Sequence, residues 1–341
     1  MTRLGPIIVS IDDKKLSHKE KTILSHDSIG GVILFANNYE NRNQLKDLVQ
    51  SIKAIKSPEL IVCVDQEGGR IQRFQKEFYS LPSFKQLGKI YDSSAEDGLK
   101  ASYLASQIMA LELLEVNIDF SFTPVVDLDY ELSSVIGDRA FHSSSQTVSD
   151  LSTAYLKGLE RVGMKAVAKH FPGHGKVSID SHVDKPIDRR SFDDLGNDLS
   201  PFQSLFKESL SAIMTAHILF PMVDSSIVTF SQKWLKDILR DQLNFQGLVI
   251  SDDLSMGATK DIGFMRDKVN MALDAGCDYV LWCHSKENLE AELDSIAIKT
   301  DVNPSNQIEL MKPLMKHEET PLSINELISE LDHLLNSSAI L

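Results

Sequence analysis

A single-domain α/β fold, a (β/α)8 TIM barrel, is predicted by three features of this 341-residue sequence. About eight short apolar or β-branched runs alternate with longer stretches of helical spacing, the pattern of parallel βα units. Most of these runs are nearly continuous in apolar residues, as strands covered on both faces are. The length suits one such barrel. No G-x-G-x-x-G follows the first run, where an open doubly wound sheet would carry its nucleotide turn.

In chain order the strand candidates are Pro6–Ile11, Gly31–Phe35, Leu60–Asp65, Ile118–Thr123, Ala166–His170, Ala212–His217, Leu248–Asp252 and Asp278–Cys283. Between them Arg42–Ile55, Ala95–Val116, Gln146–Val162, Gln232–Leu243, Met265–Ala275 and Lys286–Ala297 place apolar residues three and four apart, which predicts helices. Gly163, Gly247 and Gly276 sit where a helix would stop before the next strand. Residues 1–298 are expected to form the barrel. From Lys299 the chain is broken at Asn303-Pro304, Lys312-Pro313 and Thr320-Pro321, then turns helical over Ile324–Leu335. Residues 299–341 therefore read as a helical appendage packed on the barrel.

Composition narrows the partners. Hydrophobic residues at 42% and charged residues at 25% are globular values. A formal charge of -14 repels phosphate backbones and anionic lipid, so neither nucleic acid nor a membrane is expected as partner. Three cysteines, Cys63, Cys277 and Cys283, make an odd count, which argues against a disulfide framework and for a reducing compartment. The run Leu4–Ile11 is broken at once by Asp12, Asp13, Lys14 and Lys15, so it lacks the core of a secretory signal. No apolar run reaches membrane-spanning length. A cytoplasmic monomer is the expectation. Gly175-Lys176 lacks the upstream glycine and following hydroxyl of a phosphate-binding loop.

In such a barrel the chemistry sits at the C-terminal strand ends and in the loops that follow. The polar residues there are Asp65 with Gln66-Glu67-Gly68-Gly69-Arg70, then Asp127, Asp129, Lys169-His170, His217, Asp252-Asp253 and His284. Loop polarity alone would produce part of this clustering. The densest stretch is Lys169-His170-Phe171-Pro172-Gly173-His174-Gly175, followed by Asp180-Ser181-His182. Pro172 and Gly173 prevent the helix that an H-E-x-x-H zinc site needs, which excludes a helical zinc protease. A loop-built metal site from His170, His174, His182 and Asp180 is the weaker alternative, and composition is equally compatible with imidazoles that only satisfy backbone groups.

Asp180 and His182, two apart in an extended segment, share a face, so the carboxylate can fix the imidazole tautomer and raise its pKa. Asp252 ends a run that should be buried until it emerges at the rim; the competing reading is an aspartate that caps the next turn. Asp253 should point away if strand alternation persists. Asp65, Arg73, Arg139 and Lys169 lie at or just beyond strand ends, and a mixed-sign set without a phosphate loop suits a neutral polyhydroxylated ligand, a sugar. For Arg70 and Arg73 a structural ion pair is the alternative.

These blocks resemble a known family. Asp65-Gln66-Glu67-Gly68-Gly69-Arg70-Ile71-Gln72-Arg73, Gly137-Asp138-Arg139-Ala140-Phe141, the Lys169–Gly175 and Asp180–His182 segments and Ser251-Asp252-Asp253-Leu254-Ser255-Met256 are similar, in order, to the signatures of family 3 glycoside hydrolases. More narrowly, they resemble the bacterial single-domain β-N-acetylglucosaminidases of peptidoglycan recycling. Gly257 after Met256 is a small local difference.

The resemblance implies exo-hydrolysis of terminal β-linked N-acetylglucosamine from anhydromuropeptides, with retention, through a covalent glycosyl-enzyme. Asp252 takes the nucleophile's place and His182, oriented by Asp180, that of the acid/base. Asp65, Arg73, Arg139, Lys169 and His170 would hold the terminal sugar. Neither metal nor cofactor is expected. A histidine departs from the two-carboxylate scheme, yet its pKa near neutrality suits a proton shuttle. Larger members supply a catalytic Glu from a second domain; about ninety residues follow Asp252 here, so the acid/base is expected from the barrel itself. A phosphorylase of the same family and an inactive sugar-binding barrel are the rival readings.

Overall fold

The computed structural model describes residues 4–181, 183–284, 289–296, 309–314 and 323–338. Its barrel strands are β1 Ile7–Ser10, β2 Ile29–Leu34, β3 Ile61–Val64, β4 Phe120–Ser121, β5 Val167–Phe171, β6 Ala212–Thr215, β7 Leu248–Asp253 and β8 Tyr279–Trp282. They form one parallel sheet in the order β4-β3-β2-β1-β8-β7-β6-β5, in which each strand lies beside its neighbours in sequence and β8 returns to β1. The remaining junction is closed just beyond β4. Pro124 has no N–H to give a ladder, and pairing resumes where Val125 bridges Lys169 and the Val126 amide donates to the Lys169 carbonyl at 2.8 Å.

Each predicted strand is present, with ends moved by a few residues. The apolar runs are buried throughout because helices cover the outside and side chains fill the inside. In β7 Leu248, Val249, Ile250 and Ser251 are buried and Asp252 emerges half-buried at the rim. Arg42–Lys53, Ala95–Glu115, Ser145–Arg161 and Met265–Ala275 are helices close to their expected bounds. Lys233–Gln242 winds as a π-helix, with the Leu243 amide reaching the Ile238 carbonyl at 2.8 Å. Of the Lys286–Ala297 prediction, Leu289–Leu293 is helical and residues 285–288 and 297 lie outside the described residues.

Three further helices escape the periodicity reading. His18–Ser25 and Phe84–Ser93 each open on a capping box, Ser17 with Glu20 and Ser83 with Gln86. Gly196–Lys207 carries Pro201 inside it, where proline is disfavoured. Gly276 ends its helix with φ +128°, as expected of a glycine stop. Gly247 does not: it lies where a Cβ would come within 2.6 Å of the Ser211 carbonyl oxygen, so close backbone approach, not capping, requires it.

Ile324–Ser338 packs across Ala95–Glu115, with Leu327 and Leu331 buried, Lys100 paired to Glu330 and the Tyr79 hydroxyl donating to Asp332 at 2.5 Å. Among the described residues no helix is long and apolar enough to cross a membrane.

Candidate active site

The C-terminal rim of the barrel opens on a cavity of about 280 Å³. Asp65, Arg73, Arg139, Lys169, His170, Asp180 and Asp252 all line it, although they come from four strands and the loops beyond them. His182 lies outside the described residues.

One wall is a buried ion cluster. Lys169 on β5 donates from Nζ to Asp65 Oδ1 and to Glu67 Oε1, both at 2.7 Å. Glu67 sits in a short hairpin after β3, Gln66–Gly68 against Ile71–Gln72, and receives the Arg139 guanidinium in a fork of two 2.8 Å bonds. Arg73 reaches Asp65 at 3.4 Å and lies over the Phe35 ring at 5.5 Å. Burial pushes both carboxyls up, but the cations outweigh it. Lys169 and Arg73 hold Asp65 well below the ordinary carboxylate range, and Arg139 and Lys169 bring Glu67 to about 2. Desolvation lowers Lys169 and the two carboxylates more than restore it, so its pKa is raised. The wall thus presents fixed charges of both signs at neutral pH, ready to accept and donate hydrogen bonds to hydroxyls.

The second wall turns on Asp127, a buried carboxylate beyond β4. It accepts from His170 Nδ1 and from the His174 amide, each at 2.7 Å. A carboxylate only accepts here, so the His170 proton is on Nδ1 and Nε2 is the second ring nitrogen left for the site. Burial raises Asp127, and the pull of His170 and of the His174 amide overcomes it. The register of β5 slips between Ala168 and Phe171, which is how adjacent Lys169 and His170 both face the cavity. His174 is buried beside His170 and falls to about 4, hence neutral; its Nε2 meets Ser181 Oγ at 3.1 Å. Among the described residues no three His, Cys, Asp or Glu side chains gather to hold a metal ion.

Asp252 closes the third side. Its Oδ1 accepts the Asp253 amide at 2.8 Å. The Asp253 carboxylate turns to the backbone, accepting from the Ser255 and Cys283 amides at 3.0 Å, and so staples β7 to the end of β8. It points to that staple and not simply to the opposite face, since Asp253 also borders the cavity. The segment bearing Asp180 is tied to the turn after Asp252, because the Ala258 amide donates to the Ser181 carbonyl at 2.9 Å and Lys260 pairs with Asp184 at 3.2 Å.

Residues 3–309 match the model described as the glycosyl hydrolase family 3 N terminal domain. The chain belongs to glycosyl hydrolase family 3. Among its family 3 relatives, the Beta-hexosaminidase of Nitrosomonas eutropha is 44% identical over 310 residues, covering 91% of this chain and 89% of that one. The crystal structure of native NagZ from Neisseria gonorrhoeae matches with a TM-score of 0.91 at 38% identity over 98% of both chains. The same holds for NagZ in complex with N-trifluoroacetyl-D-glucosamine, at a TM-score of 0.91.

Two groups in this family 3 site had a rim position in sequence but no role. Glu67 holds both Lys169 and Arg139, and Asp127 fixes His170. A carboxylate among expected cations was the signal for Glu67. Ser134 and Val135, which roof the cavity and whose carbonyls receive Arg70 at 3.1 and 2.5 Å, had no signal at all.

Proposed function

We propose that this β-N-acetylhexosaminidase of family 3 is a retaining exo-β-N-acetylglucosaminidase that releases terminal N-acetylglucosamine from anhydromuropeptides in peptidoglycan recycling. The observation that carries the reading is that Asp252, Asp180 and the Asp65–Lys169–Glu67–Arg139 cluster line one small cavity at the barrel rim. A space of about 280 Å³ suits one sugar ring held at a chain end. The Neisseria relative bound to N-trifluoroacetyl-D-glucosamine supports an N-acylated glucosamine as that ring.

In this reading Asp65, Arg73, Arg139, Lys169 and His170 hold the sugar's hydroxyl and acetamido groups. The Asp252 carboxylate attacks the anomeric carbon as the glycosidic C–O bond breaks, and His182, steadied by Asp180, gives a proton to the departing oxygen. Water then attacks the glycosyl ester, His182 takes its proton, and Asp252 leaves. Two inversions give net retention. The three free, buried cysteines support the cytoplasm as the compartment.

A panel of muropeptides and aryl glycosides with anomer-resolved products tests the reaction. The expected result is β-N-acetylglucosamine as first product, unchanged by phosphate. A sugar 1-phosphate would assign phosphorolysis instead, and tight sugar binding without turnover an inactive barrel. For the dyad, His182→Ala should slow poor leaving groups about a hundredfold more than activated ones, because only the former need protonation. Equal losses on both would remove His182 from the acid/base role.

A further inference from the structure

His217, just beyond β6, is fully buried and stacks on Phe230 at 6.3 Å behind the cavity wall. Its Nε2 lies 3.0 Å from the Asp253 carbonyl oxygen, and its Nδ1 lies 2.8 Å from Thr229 Oγ1. A carbonyl can only accept, so Nε2 carries the proton. Nδ1 must then accept from the Thr229 hydroxyl, whose oxygen accepts in turn from Thr215 at 2.8 Å. Each bond in the chain runs one way. Burial lowers the His217 pKa, which agrees with the neutral ring.

The chain ends on the residue after Asp252. The Asp253 carbonyl receives His217 on one side and the Met256 amide at 3.1 Å on the other, while the Asp253 amide donates to Asp252 Oδ1 at 2.8 Å. Fixing Asp253 therefore fixes where the Asp252 carboxylate sits. We infer that His217 is a positioning residue that aims Asp252 at the anomeric carbon through Asp253. This rests on the reading of Asp252 as nucleophile.

The sugar-holding groups come from β3, β5 and the loop after β4, so a displaced Asp252 should cost turnover and spare binding. His217→Asn, His217→Gln and Thr229→Val separate this from simple core packing. A Gln amide nitrogen reaches the place of Nε2 and can donate to Asp253, whereas Asn reaches only that of Nδ1. Thr229→Val keeps the volume and removes the donor that holds the ring at Nδ1.

With an aryl β-N-acetylglucosaminide, His217→Asn is expected to lower kcat about tenfold or more and Thr229→Val about fivefold, with KM within about twofold. His217→Gln should keep most of kcat, and urea midpoints record stability separately. Wild-type kcat in His217→Asn and Thr229→Val, or a loss that follows stability and that Gln does not rescue, overturns the inference. Should His217→Asn fail to fold, Thr229→Val alone decides. Turnover by Asp252→Ala would remove the nucleophile reading itself; an inactive Asp252→Ala beside a fully active Thr229→Val removes only the positioning role.

Discussion

Asp252→Ala is expected to fold normally and to hydrolyse an aryl β-N-acetylglucosaminide about 10⁴-fold or more slowly than the wild type. The fold survives because Asp252 sits half-buried at a strand end, where water in the cavity can satisfy the Asp253 amide that loses its acceptor. The rate does not survive. Of the other carboxylates that line the cavity among the described residues, Asp65 and Glu67 are held by Lys169, Arg139 and Arg73, Asp253 is spent on the Ser255 and Cys283 amides, and Asp180 belongs to the proposed acid/base pair on the loop after β5. Azide should partly restore turnover by entering the vacated space, and attack from that face gives the α-glycosyl azide. Loss of activity with a β-azide, or retained hydrolysis, would place the nucleophile elsewhere.

That both the strand and its last residue could be read from sequence has a local cause. A strand covered on both faces is a nearly continuous apolar run, and the first charged residue after it marks the rim, so the rim positions of Asp65, Lys169 and Asp252 were all legible. The roles of Glu67 and Asp127 were not, because they exist only as bonds across the barrel. Glu67 meets Arg139 from 72 residues away, and Asp127 meets His170 from 43. His217 was legible as a strand-end polar residue, but the direction of its bonds needed the Asp253 carbonyl and the Thr229 hydroxyl to be in place. The helix Gly196–Lys207 was missed for an equally local reason: proline is disfavoured in a helix interior, and Pro201 lies inside it.

Lys169→Met is expected to lose both activity and stability, and the pH dependence of the second loss identifies its cause. Methionine matches the stem of the lysine but leaves Asp65 and Glu67 without the buried ammonium between them, with Arg139 still forked to Glu67 and Arg73 only at 3.4 Å from Asp65. Breaking a buried pair this way costs about 3–5 kcal/mol at neutral pH. kcat/KM should fall at least about a hundredfold, since the donor proposed for the sugar is gone and the carboxylates beside it lose their place.

Glu67 in the wild type is pulled down to about 2, below its unfolded value. Its contribution is therefore complete above about pH 4.5 and is lost as pH falls toward 2. In the variant only Arg139 pulls on Glu67, so that contribution is already reduced and its carboxyl protonates at a higher pH. The urea-midpoint gap between wild type and Lys169→Met should be widest near pH 7 and narrow from about pH 4.5 downward. A gap that stays constant with pH would mean that Lys169 matters by filling space and not by its charge.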